Sequence, residues 1–140
     1  MGRRNFHGGL INPTATIVRK SATDIDDVRN RIMTFNENGE FVLASSGTDF
    51  PIGVAILEAG YNDISGVEAG KVMAGEDVTI QIKDIGFVIA GAEIKEGQEV
   101  TSGADGLAAV ATTGDYVLGI ALNNVVANGY CEIQHMRYKK

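Results

Sequence analysis

Tryptophan is absent from the 140 residues, cysteine occurs once, proline twice, and aromatic residues make up only 6%. The lone Cys131 excludes an intramolecular disulfide and a cysteine-built metal cluster. It stands in the alternating run Tyr130-Cys131-Glu132-Ile133, where it reads as a small core hydrophobe rather than a reactive thiol. With so few aromatics the core must be aliphatic, and the 44% apolar fraction, mostly Val, Ile, Leu and Ala, is sufficient for one. Residues Met1 to Asn12 hold no signal-like apolar stretch, and no run approaches the roughly 20 residues of a membrane span. The sequence therefore predicts a soluble protein made in a cytoplasm, with no membrane partner.

Histidine is also scarce. His7 lies near the N-terminus, where nothing in the sequence would orient its ring, and His135 alternates with Ile133 as a surface or interface side chain. No serine stands in Gly-x-Ser-x-Gly. Asp24-x-Asp26-Asp27 lacks the glycine and glutamate that shape a calcium loop, so it reads as a solvated acidic turn. Gly70-Lys71 is preceded by Ser65 and followed by Val72 where a phosphate loop needs Gly and Ser or Thr. No lysine sits in a carrier-domain context: Lys71 is in Gly-Lys-Val, Lys83 in Ile-Lys-Asp and Lys95 in Ile-Lys-Glu. The expectation is a protein that is not an enzyme, with no catalytic, cofactor or metal residues.

Charge is segregated. The net charge is −6, yet residues 1–20 carry Arg3, Arg4, Arg19 and Lys20 and no acid, and the last six carry Arg137, Lys139 and Lys140. All 18 acids lie from Asp24 to Glu132, so the body is acidic and both ends are basic. An acidic body argues against nucleic acid, whose phosphates require cations. A basic arm suits an acidic protein surface or a neighbouring copy.

What is abundant is glycine, 18 residues spread between β-branched runs, which signals short strands joined by tight turns. Residues 1–14 read as an extended N-terminal arm and 15–140 as a single β domain. Strands are expected at Ala15–Arg19, Ile32–Phe35, Phe41–Ala44, Ile52–Leu57, Asp77–Lys83, Phe87–Ala90, Gln98–Thr101, Ala108–Thr112, Val117–Leu122 and Tyr130–Met136. Asn38-Gly39 between the second and third marks a hairpin. Thr23 to Val28 has the composition of one or two helical turns or of a loop.

An internal repeat is the most informative pattern. Asp49-Phe50-Pro51-Ile52-Gly53-Val54-Ala55-Ile56-Leu57 recurs 66 residues later as Asp115-Tyr116-Val117-Leu118-Gly119-Ile120-Ala121-Leu122-Asn123. Each copy leads to a matched strand, Val78–Ile82 and Cys131–His135, so residues of about 36–83 and 102–136 form related units, with extra length near Tyr61–Met73. Gly53 and Gly119, inside equivalent apolar strands, are structural glycines that mark a bulge or a close backbone approach. The fold expected is all-β, a compact small barrel or sandwich (β-clip or β-tulip-like) built from two related β-units.

Three segments carry a family resemblance: Ala92-x-Ile94-x-x-Gly97-x-x-Val100, Ala104-Asp105-Gly106-Leu107-Ala108-Ala109-Val110-Ala111, and Gly114-Asp115-Tyr116-Val117-Leu118-Gly119-Ile120-Ala121-Leu122. Together they make Ile89 to Gln134 similar to the phage capsid cement, or head decoration, proteins. The resemblance implies a virion structural protein, made in the host cytoplasm, on the outer surface of an icosahedral head. It would bind the major capsid protein and itself, as a homotrimer, and cement neighbouring capsid subunits against internal pressure. Arg3, Arg4, Asn5, Phe6 and His7 would then form an arm that touches the capsid or a neighbour. A fibre or adhesin-type surface module of a virion is the alternative.

Overall fold

The computed structural model describes residues 14–60 and 69–140. The expected arm, including Arg3, Arg4, Asn5, Phe6 and His7, lies outside the described residues, as does most of the extra length near Tyr61–Met73. The described chain is all-β. Ten strands form two five-stranded antiparallel sheets. The first half supplies β1 (Thr16–Lys20), β2 (Ile32–Phe35), β3 (Phe41–Leu43), β4 (Gly53–Ala55) and β5 (Asp77–Gln81). The second supplies β6 (Ile85–Ile89), β7 (Glu99–Ser102), β8 (Ala108–Val110), β9 (Tyr116–Ala121) and β10 (Tyr130–Lys139). Every expected strand is present: β2 has the expected bounds, β3, β4, β5 and β8 are shorter, β1, β7 and β9 are shifted by one residue, β6 begins two residues earlier and β10 runs three further. Residues 23–28 form no helix; Ile25 instead makes an antiparallel bridge to Val72 and is buried.

The two halves are built to one plan. The first sheet runs β1-β5-β4-β2-β3 and the second β6-β10-β9-β7-β8, the same order strand for strand. Registers agree as well: Val54 opposes Gln81 and Ala55 opposes Ile80, while Ile120 opposes Gln134 and Ala121 opposes Ile133. The isolated bridges Ser21↔Phe41 and Ile25↔Val72 have counterparts in Ala90↔Ala108 and Ile94↔Val125. Side chains follow: Thr34 Oγ1 donates to Phe50 O and Thr101 Oγ1 to Tyr116 O. Asp49 accepts from the backbone N–H and hydroxyl of Ser45, and Asp115 from those of Thr112. The correspondence thus begins at β1, well before residue 36. It also corrects one boundary. Because Val72 matches Val125, the extra length ends before Val72 rather than at Met73.

The parallel bridges Ser21↔Phe41 and Ala90↔Ala108 bring the two edge strands of each sheet together, so each sheet rolls towards closure around its own interior. Met33, Phe41, Ala55, Val78 and Ile80 fill the first with Ile25, Val28, Ala59 and Val72. Val88, Val100, Ala108, Leu118, Ala121, Cys131 and Ile133 fill the second. Successive residues on a strand face opposite ways. Ile32 and Val54, next to Met33 and Ala55, therefore point out of the first interior and, with Ala44, join the second core. Burying these side chains on both faces of the first sheet holds the halves together, at about 25 cal/mol per Å² of apolar surface.

Gly53 and Gly119 occupy equivalent places in β4 and β9, and neither has a left-handed φ. A Cβ on Gly53 would lie 2.1 Å from the carbonyl oxygen of Gln81, and one on Gly119 would lie 2.3 Å from that of Gln134. Close approach of the paired strand is what requires glycine at both.

Candidate interaction surfaces

The residues with chemical potential are mostly tied into structure. Asp27 receives both Nε and Nη2 of Arg29 at 2.9 Å, and the Arg29 hydrogen bond holds its carboxyl below the usual range. Asp24 accepts the backbone N–H of Ala74 at 2.8 Å, bracing the segment after Val72. Cys131 is fully buried and its thiol is pushed up to about 11 by burial, in keeping with a core hydrophobe. Among the described residues, no group of three or more His, Cys, Asp and Glu is placed to hold a metal ion.

His135 and Arg137 form a junction that the alternation pattern did not expose. β10 pairs with β6 through Tyr130–Gln134 and with β9 through Ile133–Lys139, and its register shifts between His135 and Tyr138. This irregularity re-aims Arg137 towards the first half, as bulges do. Its Nε donates to Pro51 O at 2.7 Å and its Nη1 to Ile82 O at 2.5 Å, while Nη2 donates to Ile52 O. Three carbonyls of the first half thus hold one cation of the second. Nη2 also lies 3.2 Å from His135 Nδ1. Burial, then the Arg137 charge, pulls the His135 imidazole down to about 4, against an opposing effect of Asp84. His135 is thus neutral near pH 7 and sits at the seam inside the chain rather than on an open surface. Its Nε2 has no partner among the described residues.

Exposed apolar side chains occur on both halves, and one group of them is contiguous. On the outward face of β6 and β10, Ile85, Phe87 and Tyr130 are about half exposed, and the Phe87 and Tyr130 rings meet edge-on with centroids 6.5 Å apart. With Leu57 and Asn30 of the first half they line a groove of about 410 Å³. Asn30 donates from Nδ2 to Phe87 O at 3.0 Å. The repeat supplies the comparison: Lys20 and Asp77 stand where the second half has Ile89 and Tyr130, and they form an exposed ion pair at 3.3 Å. Extending the repeat one residue towards the N-terminus from Val78 and Cys131 pairs Asp77 with Tyr130 in the sequence. That contrast was the available signal. A second depression, of about 480 Å³, is lined by Asp24, Asp26, Asp27, Arg31 and Asp105 among others.

No family model and no curated protein sequence matches the chain. Among solved structures, it is similar to the N base of the head fiber gp8.5 of bacteriophage phi29, with a TM-score of 0.61 and 20% identity. The likeness covers 89% of this chain and 96% of that one. At this identity it is a likeness of fold, and the two rolled, repeated sheets described above are an architecture also found in the base of a phage head fiber.

Proposed function

We propose that this chain is a structural protein of a phage head, carried on the outside of the shell, where it binds the major capsid protein and cements neighbouring subunits. The observation that carries the reading is the fold shared with a head fiber base over nearly the whole of both chains. It is supported by the motifs between Ile89 and Gln134 that resemble the cement proteins, quite apart from the fold. Ile94 and Val100 of those motifs are fully buried and Gly97 takes the left-handed turn between them, so the motif makes a tight turn into β7. The acidic body disfavours binding to DNA.

Cementing needs no strong single contact. Modest interfaces repeated across a lattice gain ~10²–10⁴ in avidity when a subunit engages two sites at once. A homotrimer would supply such multivalency. The second reading, the base of a head fibre, is favoured by the identity of the similar structure. The two predict different particles. Cryo-microscopy of the parent virion should show this fold on the head exterior. Density at most lattice sites supports cement, and sparse density continuing into a projecting fibre supports a base. Particles lacking this chain should release DNA at a lower temperature if it cements. Heads without this fold anywhere on their exterior would sink both readings.

A further inference from the structure

The groove lined by Leu57, Phe87 and Tyr130 is not required by the fold. On the first sheet Asp77, ion-paired with Lys20, stands at the place of Tyr130 and Val18, 44% exposed, at that of Phe87, and that half packs its interior without an aromatic pair there. Leu57, Phe87 and Tyr130 are 55%, 47% and 52% exposed, a concentration of apolar surface that marks a binding site. Asn30, which lines the groove and is only 7% exposed, has no partner for its Oδ1 among the described residues. An unsatisfied buried acceptor costs about 1–3 kcal/mol.

Charge selects the occupant. Glu58 follows Leu57, and Glu132 is the register partner of Phe87 on the same outward face, while the nearby Arg29 is already paired with Asp27 at 2.9 Å, so the unpaired charge beside the groove is acidic. A second acidic body would be repelled there. Both ends of the chain are basic, but the C-terminal one is committed to β10 and its contacts, whereas the N-terminal one offers Arg3, Arg4, Phe6, Leu10 and Ile11. Thirteen residues precede Thr14. Fully extended they span ~45 Å, against a radius of gyration of about 14 Å for a domain of this size, which is reach enough for a neighbour. We infer that the Leu57–Phe87–Tyr130 groove of one copy receives the N-terminal segment of a second copy, Phe6 entering the groove and Arg3 and Arg4 lying beside Glu58 and Glu132. The inference goes beyond the head assignment and can be tested on the free protein.

The test pairs cysteines on differently tagged full-length chains. Phe6→Cys in one chain and Leu57→Cys in the other should give, on mild oxidation, at least ten-fold more disulfide-linked dimer than Phe6→Cys paired with Lys83→Cys, an exposed control site. Buried Cys131 does not compete. Adding Phe87→Glu to the Leu57→Cys chain should return the yield to the control level, with circular dichroism verifying that it stays folded. Equal yields at Leu57 and Lys83 would overturn the inference. So would a chain carrying both Phe6→Cys and Leu57→Cys that closes only upon itself.

Discussion

At the scale of single residues, Gly53 and Gly119 show how little room the paired strands leave. The obstruction in each case is a backbone carbonyl, which cannot rotate out of the way as a side-chain tip can. Gly53→Ala or Gly119→Ala should therefore cost at least about 2 kcal/mol, the upper half of the ~1–3 kcal/mol usual for overpacking. Urea unfolding of each variant reads this directly, and a loss under 0.5 kcal/mol, roughly the size of a surface substitution, would contradict it. Their role as interior glycines of apolar strands was legible in the sequence, because a repeat put both in the same frame. Which of the two mechanisms applied, bulge or close approach, depended on the distance to Gln81 and Gln134, strands far away in sequence, and only coordinates supply that.

At the scale of elements, β10 does more than its length suggests. One half of it completes the second sheet beside β6, and its irregular second half turns Arg137 into the seam and holds His135 beside it. Burial first, and then the charge on that neighbour, make protonation of His135 unfavourable in the folded protein and pull it down to about 4. In the unfolded chain it titrates near its ordinary 6.5. Above pH 6.5 neither state takes the proton and the group does not affect folding. Between 6.5 and 4 the unfolded chain takes it and the folded one does not, so stability falls with pH by up to about 1.4 kcal/mol per unit. Below 4 both are charged and the slope from this group ends. Urea midpoints at pH 7, 6 and 5 should fall for the parent and fall less for His135→Gln, and parallel slopes would contradict the assignment. Strand positions were readable because β-branched runs alternate with turn residues. The seam was not, since a basic C-terminal residue looks the same whether it faces water or three carbonyls.

At the scale of the whole molecule, the sequence carried the architecture further than the surface. Two related units were visible in the Asp49 and Asp115 segments, and equivalence of all ten strands followed once pairing was known. The units diverge on their outward faces, where Lys20 and Asp77 of the first stand at the places of Ile89 and Tyr130 of the second. The linker between β5 and β6 is only Ile82-Lys83-Asp84, and across it Ile32, Ala44, Val54 and the Arg137 junction bind one half to the other. That seam has the makeup of a subunit contact, an apolar centre closed by a half-buried, hydrogen-bonded cation. Residues 1–83 and 84–140, produced as separate polypeptides, should therefore find each other and restore a native chromatogram and melting transition, with Arg137→Leu weakening the reconstitution. The chain is then a heterodimer whose partners happen to be translated together, and its two sides were free to specialise as two gene products would.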